Sequence, residues 1–280
     1  MSTADPAACV PVGPRAVASP PPSFDGDSLD GRDPELLRAL MPWIDRFTRY
    51  YIRLDCDGRE HIRRGPVMYV GNHNNGFSGP DVLATLSTLW NELGVEAPVY
   101  GLAHDFAMRH VPAFGRVVQW FGGVRACRTN ARRIFEERRG AALVYPGGVP
   151  EAFRPTRRRD RVDFGSRTGF LAVARDTGTP IVPVVAHGAH RSAFIFTDGV
   201  TLARVLRLRR FRQQACPIAM ALPWGLVVGP FLPYLPLPFR VRLRLLPPFV
   251  VRRDQDLLET QRRLVANMQQ ALDELAGVAA

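Results

Sequence analysis

Residues 67–83 read VMYVGNHNNGFSGPDVL, and this stretch decides the fold. It begins with a short apolar run that is typical of a buried strand. It then passes through a loop rich in Gly and Asn and ends in a Gly-Pro-Asp sequence suited to the start of a helix. His73 therefore follows a buried strand, where the backbone is held in place and the side chain faces a cleft.

Asp81 is the candidate partner of this histidine and falls in the first turn of the predicted helix. If the loop folds back, Asp81 accepts a hydrogen bond from one ring nitrogen of His73 and leaves the other nitrogen free to take a proton. The same residues also fit a buried histidine bonded to a loop carbonyl, with Asp81 complementing the helix dipole. The stretch alone leaves both interpretations open.

The composition indicates a globular protein with anionic partners. The chain has 280 residues, of which 46% are hydrophobic, so it is long enough for one large domain or at most two. Its formal net charge is +11, and all 37 basic residues are arginine. This charge favours phospholipid head groups, phosphorylated cofactors or nucleic acid. A nucleic-acid partner is not expected, because the arginines are spread along the chain and form no known motif.

The N-terminal residues 1–33 are rich in Pro, Ala, Gly and Asp without periodicity, which predicts a disordered arm before a single domain at residues 34–280. No signal peptide and no uninterrupted membrane-spanning helix is predicted. The four cysteines show no paired spacing, so neither a disulfide nor a zinc site is expected. A reducing, cytoplasmic setting fits best.

Alternating strand and helix patterns predict an α/β fold with a mostly parallel central sheet flanked by helices. An amphipathic helix is predicted over residues 34–54, with its apolar face against the core or a membrane surface. A strand is predicted over residues 50–55 and a long amphipathic helix over residues 254–276. Residues 216–239 carry no charge and contain six prolines. They predict an apolar loop or hairpin that lines an acyl-chain site or dips into a membrane interface, although a buried core loop fits equally well.

A second strand-to-turn segment, VYPGGVPEA, occupies residues 144–152. Gly147 and Gly148 lack side chains, so their backbone amides can approach a ligand closely, and Glu151 follows at the rim. A purely structural turn is the alternative. Arg128 follows another glycine turn and is a candidate anion ligand, whereas the run at residues 157–159 is more typical of a solvated face.

Taken in order, these motifs resemble the glycerolipid (lysophospholipid) acyltransferase superfamily, most closely its monoacylglycerol- and diacylglycerol-acyltransferase-like branch. The resemblance spans about residues 40–245 and has four blocks: Gly71-Asn72-His73 with Asp81; Gly123 to Arg128; Tyr145-Pro146-Gly147-Gly148 with Glu151; and Gly169 to Ala174 followed by Thr179 to Val184. The usual first block has its aspartate five positions after the histidine, where this chain has Ser78. We therefore expect a longer loop that still brings Asp81 to His73.

The resemblance implies a glycerol-phosphate-acyltransferase-like fold and a function. His73 would be the general base and Asp81 its orienting partner, and the substrate-binding residues would be Asn72, Arg128, Gly147, Gly148 and Glu151. Acyl-CoA or acyl-carrier protein would be the co-substrate, with no cofactor and no metal. The acceptor would be a glycerolipid or lysophospholipid. The protein would work at the inner face of the cytoplasmic membrane as a peripheral protein. The alternative is a non-catalytic lipid-binding protein that keeps the fold with a degraded His/Asp pair.

Overall fold

Ten strands and eight helices are present in the computed structural model, which describes residues 26–76, 79–105, 108, 112–208, 215–229 and 237–277. The strands are β1 (Asp55–Asp57), β2 (Val67–Gly71), β3 (Val99–Ala103), β4 (Gly123–Arg125), β5 (Ala141–Val144), β6 (Ile181–His187), β7 (Phe194–Thr197), β8 (Ile218–Ala221), β9 (Gly225–Val228) and β10 (Arg242–Leu245). The helices are α1 (Pro34–Arg46), α2 (Pro80–Leu93), α3 (Pro112–Trp120), α4 (Arg128–Glu136), α5 (Gly148–Ala152), α6 (Gly169–Thr177), α7 (Val200–Val205) and α8 (Leu257–Ala276).

Seven of the strands form the central sheet, in the order β1-β10-β6-β2-β5-β3-β4. From β6 to β4 the neighbours are parallel, while β10 runs antiparallel to β6 and pairs with β1 at the edge. The prediction of a mostly parallel sheet flanked by helices is therefore confirmed. Parallel strands present their carboxyl ends at one edge, which is where ligand sites form in such sheets.

Strand β2 lies in the middle of this sheet and is buried along its whole length. Val67 and Tyr69 point to one face and join a core with α1 and α2. Met68 and Val70 point to the other face and join a core with α4, α6 and α8. Successive side chains of a strand alternate in direction, so a strand covered by helices on both faces must be apolar at every position. The run at residues 67–70 meets that requirement.

The N-terminal amphipathic helix is present as α1, which packs on the core through Leu37, and it ends earlier than predicted. A π-helix, Phe47–Tyr51, continues it. The strand predicted over residues 50–55 is wrong, because Phe47 and Tyr51 stack four residues apart on one helical face, with ring centroids 5.1 Å apart. The pairing strand β1 begins only at Asp55.

The ordered domain begins before residue 34, so the predicted boundary of the disordered arm is wrong for residues 26–33. Leu29 is buried, and the carboxylate of Asp27 receives two hydrogen bonds from the Arg125 guanidinium and one from Asn130. A buried carboxylate requires such donors, and they attach this segment to β4 and α4. Residues 1–25 lie outside the described residues, so their disorder stays a prediction.

The cysteines depart from expectation at one position. Cys127 is disulfide-bonded, whereas Cys56 and Cys216 are free thiols. The expectation of no disulfide is therefore wrong for Cys127, because spacing along the chain does not report which residues meet in space. Separately, no helix among the described residues combines the length and apolar composition needed to cross a bilayer.

Candidate active site

His73 and Asp81 meet at the carboxyl edge of the sheet. His73 lies two residues after β2, and Asp81 lies in the first turn of α2. The Nδ1 atom of His73 is 2.8 Å from the Oδ2 atom of Asp81. The Asp81 side chain is fully buried, whereas the His73 side chain is 17% exposed. The ring thus has one nitrogen on a buried carboxylate and an edge open to solvent.

The loop between the two residues folds back as expected from the longer spacing. The backbone N–H of Asn74 donates to Asp81 Oδ2 over 2.8 Å, so the same oxygen binds the loop and the ring. Gly79 has φ +54°, which favours glycine, and it leads into Pro80 at the first position of α2. The three positions added to the usual spacing are therefore accommodated before the helix begins. Residue 78 itself lies outside the described residues.

Glu151 supports the backbone of this loop from below. Its Oε2 accepts the N–H of His73 over 3.0 Å, and its Oε1 accepts the N–H of Asp163 over 3.0 Å. Glu151 is 0% exposed and forms a buried link between the His73 loop, α5 and the segment at Asp163. Its expected contact with the acceptor stays a prediction. Burial raises the pKa of its carboxyl to about 7, against the opposing effect of those two N–H groups and the nearby Arg154.

Gly147 makes this arrangement possible. A Cβ atom added at Gly147 would lie 2.0 Å from Oε2 of Glu151, so any side chain there would displace the carboxylate. Gly148 has φ +55°, and its N–H donates to the carbonyl of Tyr145 over 3.2 Å, which closes the turn. The structural role of the Gly-Gly pair is therefore clear from contacts within the turn. Its predicted role in ligand binding stays a prediction.

Asn72 is also a positioning residue. Its side chain accepts the N–H of Ala186 over 2.8 Å and donates to the carbonyl of the same residue over 3.0 Å, which extends the pairing of β2 with β6 by a side chain. Asn74 donates to that carbonyl too, over 2.7 Å. Asn72 is 0% exposed, and its expected contact with the substrate stays a prediction. The Oδ1 and Nδ2 atoms of its amide both bond to Ala186 and so fix the end of β2, which leads to His73.

Tyr145, at the end of β5, packs its ring against His73 with centroids 4.9 Å apart. Its hydroxyl donates to Thr85 on α2 over 3.2 Å. A Cβ atom added at Gly71 would lie 2.4 Å from Cε1 of this ring, so the glycine before Asn72 allows the ring to approach the strand. The imidazole is consequently held between the Asp81 carboxylate and an aromatic face.

The electrostatics of the site favour a basic histidine. Burial of the ring disfavours the imidazolium form, but the Asp81 carboxylate and its hydrogen bond, helped by Glu151, outweigh burial and raise the pKa of His73 above its ordinary value. Nε2 makes no hydrogen bond with the described part of the chain. The arrangement therefore provides an oriented nitrogen that can accept a proton from a bound hydroxyl.

Arg128 begins α4 and is exposed at the same edge of the sheet. Its guanidinium lies beside Gly169, where an added Cβ would be 3.6 Å from Nε, and it makes no hydrogen bond or ion pair with described residues. Arg167, which the sequence analysis missed, donates to the carbonyl of Gly147 over 3.0 Å. Arg125, at the end of β4, is used by its buried pair with Asp27. Among the described residues, the guanidinium of Arg128 is exposed and without a hydrogen-bond partner, so it is available to a ligand.

His190 is a further residue that sequence reasoning missed. It is 2% exposed, and neither ring nitrogen has a hydrogen-bond partner in the described structure. Burial, and then the charge of Arg154, lower the pKa of His190 to about 3, so the ring is neutral. The available signal was its position three residues after β6, which repeats the placement of His73 after β2. Among the described residues, no cluster of His, Cys, Asp or Glu side chains could hold a metal ion.

The chain is similar to known proteins over part of its length. The Acyltransferase family model matches residues 53–187, which include His73, Asp81, Arg128 and Glu151. An uncharacterized protein of Mycobacterium tuberculosis is 29% identical over 215 residues, covering 76% of this chain and 57% of that protein. The chain thus matches little more than half the length of this curated relative. Phytyl ester synthase 2 of Arabidopsis thaliana is 26% identical over 157 residues, covering 54% of this chain and 22% of the synthase.

A solved structure supports the fold. The crystal structure of the 1-acyl-sn-glycerophosphate (LPA) acyltransferase PlsC from Thermotoga maritima superposes with a TM-score of 0.51, covering 87% of this chain and 84% of that one, at 18% identity. At this identity the likeness concerns the architecture of the sheet and its helices. The family model over residues 53–187 and the four ordered blocks make this part of the chain similar to the Acyltransferase family, and the likeness to PlsC concerns the fold.

Proposed function

We propose that the protein transfers a fatty acyl group from a thioester, acyl-CoA or acyl-carrier protein, to a hydroxyl of a glycerolipid or lysophospholipid. The observation that carries the proposal is the 2.8 Å hydrogen bond between Nδ1 of His73 and Asp81. It fixes the tautomer in which Nε2 has a free lone pair. Two of the similar proteins support the proposal by their names, which are LPA acyltransferase and phytyl ester synthase.

The reaction follows from the oriented ring. Nε2 of His73 removes the proton of the acceptor hydroxyl as its oxygen attacks the thioester carbonyl, and Asp81 stabilises the imidazolium that forms. The tetrahedral intermediate then expels the thiolate, which takes the proton back from His73, and the ester is released. Each turnover therefore returns the ring to its neutral form. Backbone amides of the turn at Gly147 and Gly148 would stabilise the oxyanion or hold the acceptor.

The alternative of a non-catalytic lipid-binding protein rests on a degraded His/Asp pair. The short His73–Asp81 contact and the buried Glu151 support beneath it argue against that alternative. A site kept only for lipid binding would not need an oriented tautomer. We further propose that the protein works at the inner face of the cytoplasmic membrane, because the acceptor is a membrane lipid and the chain is strongly basic.

The direct test is thioester release by the purified protein, with acyl-CoA and acyl-carrier protein donors, a panel of glycerolipid and lysophospholipid acceptors, and product identification by mass spectrometry. We expect His73→Ala to lose turnover while remaining folded, because the variant removes the base and the N–H of Asn74 still donates to the buried Asp81 carboxylate. His61→Ala, a histidine in a separate 3₁₀ turn, is the control and should keep full activity. Undiminished turnover by His73→Ala would refute the mechanism.

Replacing the orienting carboxylate should change both rate and pH dependence. Since the neutral form of His73 is the base, activity falls as the pH drops through its pKa, which the Asp81 carboxylate raises. Asp81→Asn should therefore lower kcat by roughly a hundred- to ten-thousand-fold and shift the acid limb of the kcat/KM profile to lower pH. Asp176→Asn, an exposed aspartate on α6, is the control. An acid limb that stays in place, or moves to higher pH, would contradict the assignment.

The acceptor class can be read from Arg128. A guanidinium that has no partner among the described residues is suited to bind a phosphate through charge-assisted hydrogen bonds. Arg128→Ala should raise KM for a phosphate-bearing acceptor about tenfold or more and leave KM for an uncharged monoacylglycerol unchanged. Arg132→Ala, one turn further along α4 and paired with Asp176, is the matched control. Equal KM values for the variant and the wild type with the phosphorylated acceptor would remove Arg128 from the acceptor site.

A further inference from the structure

The second sheet, made of β7, β8 and β9, has an unusual distribution of apolar side chains. It is antiparallel, with β8 in the middle, and its register places Phe194 opposite Met220 and Met220 opposite Leu226. The inward positions Ile195, Ala219 and Val227 are buried. Their neighbours in sequence point outward, and a sheet with one solvated face normally has polar residues there.

We use the term outer face for the exposed, outward side chains of this sheet, and they are all apolar: Phe194, Phe196, Met220, Leu226 and Val228. Each is between 44% and 64% exposed. Leu222 and Trp224, in the turn that joins β8 to β9, are about half exposed as well. Among the described residues, ten of the seventeen exposed large apolar side chains lie within residues 194–237. Seven of these ten lie on the outer face or in its β8–β9 turn. Such a concentration marks an interaction surface and not the scatter of single apolar residues that is normal.

The charge around the outer face identifies the kind of partner. Residues 188–240 contain seven arginines and a single acidic residue, Asp198. Arg191, just before β7, and Arg204, on α7, are both exposed. An apolar surface bordered by arginine, with a Trp at its turn, is complementary to the acyl region and anionic head groups of a phospholipid bilayer. A second copy of this chain would bring two arginine-rich segments together, which like-charge repulsion disfavours.

The outer face is also tied to the catalytic loop. Asn75, two residues after His73, donates a hydrogen bond to Ser192 Oγ over 2.7 Å, and Ser192 lies two residues before β7. Ala215, which precedes β8, packs against Ala152 at the end of α5. The second sheet is therefore fixed beside the elements that hold His73 and Glu151. A bilayer contacting the outer face would lie next to the cleft.

We propose that the outer face docks on an anionic phospholipid bilayer and brings the cleft of His73 to the lipid surface. This inference extends the proposed function. It rests on that function only where it takes the substrate to be a lipid. The arginines draw the protein to the surface, and the apolar side chains then enter the interface. The sequence had offered α1 as another membrane candidate, and its exposed Trp43 gives a rival surface that the same experiment can test.

The experiment is flotation of the full chain with vesicles of phosphatidylcholine alone or mixed with phosphatidylglycerol, at low and high salt. The wild type should bind the anionic vesicles and bind less at high salt, where charge interactions are screened. The double variant Met220→Ser/Leu226→Ser should have a vesicle partition coefficient at least about tenfold lower than the wild type, because two exposed apolar side chains are lost from the interface. Trp43→Ser is the matched control and should bind like the wild type.

Turnover separates docking from chemistry. With short-chain substrates below their micellar concentration, the double variant should keep the kcat/KM of the wild type, and it should lose activity only on substrates embedded in vesicles. Unchanged vesicle binding of the double variant, or loss of binding by Trp43→Ser, would overturn the proposal. So would a wild-type dimer that the double variant converts to a monomer without any change in vesicle binding. If the wild type turns over no donor, the proposed function fails, while the flotation result still decides the docking surface.

Discussion

The hydrogen bond between Nδ1 of His73 and Oδ2 of Asp81 is the interaction on which the rest of the site depends. It joins the exit of the central strand β2 to the first turn of α2 over 2.8 Å. The same oxygen accepts the N–H of Asn74, so one buried carboxylate sets both the path of the loop and the orientation of the ring. A buried carboxylate is costly without such donors, and this cost makes the loop conformation specific.

Residues from other motifs of the sequence hold the loop and the strand that carry His73. Glu151 holds the backbone N–H of His73, and Gly147 leaves the space that its carboxylate occupies. Asn72 fastens the end of β2 to β6 through Ala186. These residues belong to motifs that are easily taken for ligand contacts. In this fold their atoms position the loop, and we propose that Nε2 of His73 and the guanidinium of Arg128 contact the substrates.

The sequence predicted the sheet and the His73–Asp81 pair for identifiable reasons. Strand β2 is apolar at every position, and the Gly-Pro-Asp sequence at residues 79–81 begins a helix, so the locations of His73 and Asp81 followed from local patterns. The roles of Asn72 and Glu151 did not follow, because their partners Ala186 and Asp163 are distant in sequence or lie in irregular loops.

Two further features depended on tertiary contacts. The segment at residues 26–33 has a composition typical of disorder, but the buried pair of Asp27 with Arg125 anchors it. The hairpin of β8 and β9 was anticipated as an apolar loop or hairpin, whereas its pairing with β7, and therefore the outer face, was not. Local composition does not reveal which strand an isolated hairpin will join.

The most direct test of the central claim is the tautomer of the His73 ring, measured by two-dimensional ¹H–¹⁵N NMR of the histidine-labelled protein above the pKa of His73. A His73→Gln variant assigns the signals. The account predicts a protonated Nδ1 and an unprotonated Nε2 in the wild type, and loss of this preference in Asp81→Asn. A wild-type ring protonated on Nε2, or a tautomer that Asp81→Asn leaves unchanged, would contradict it.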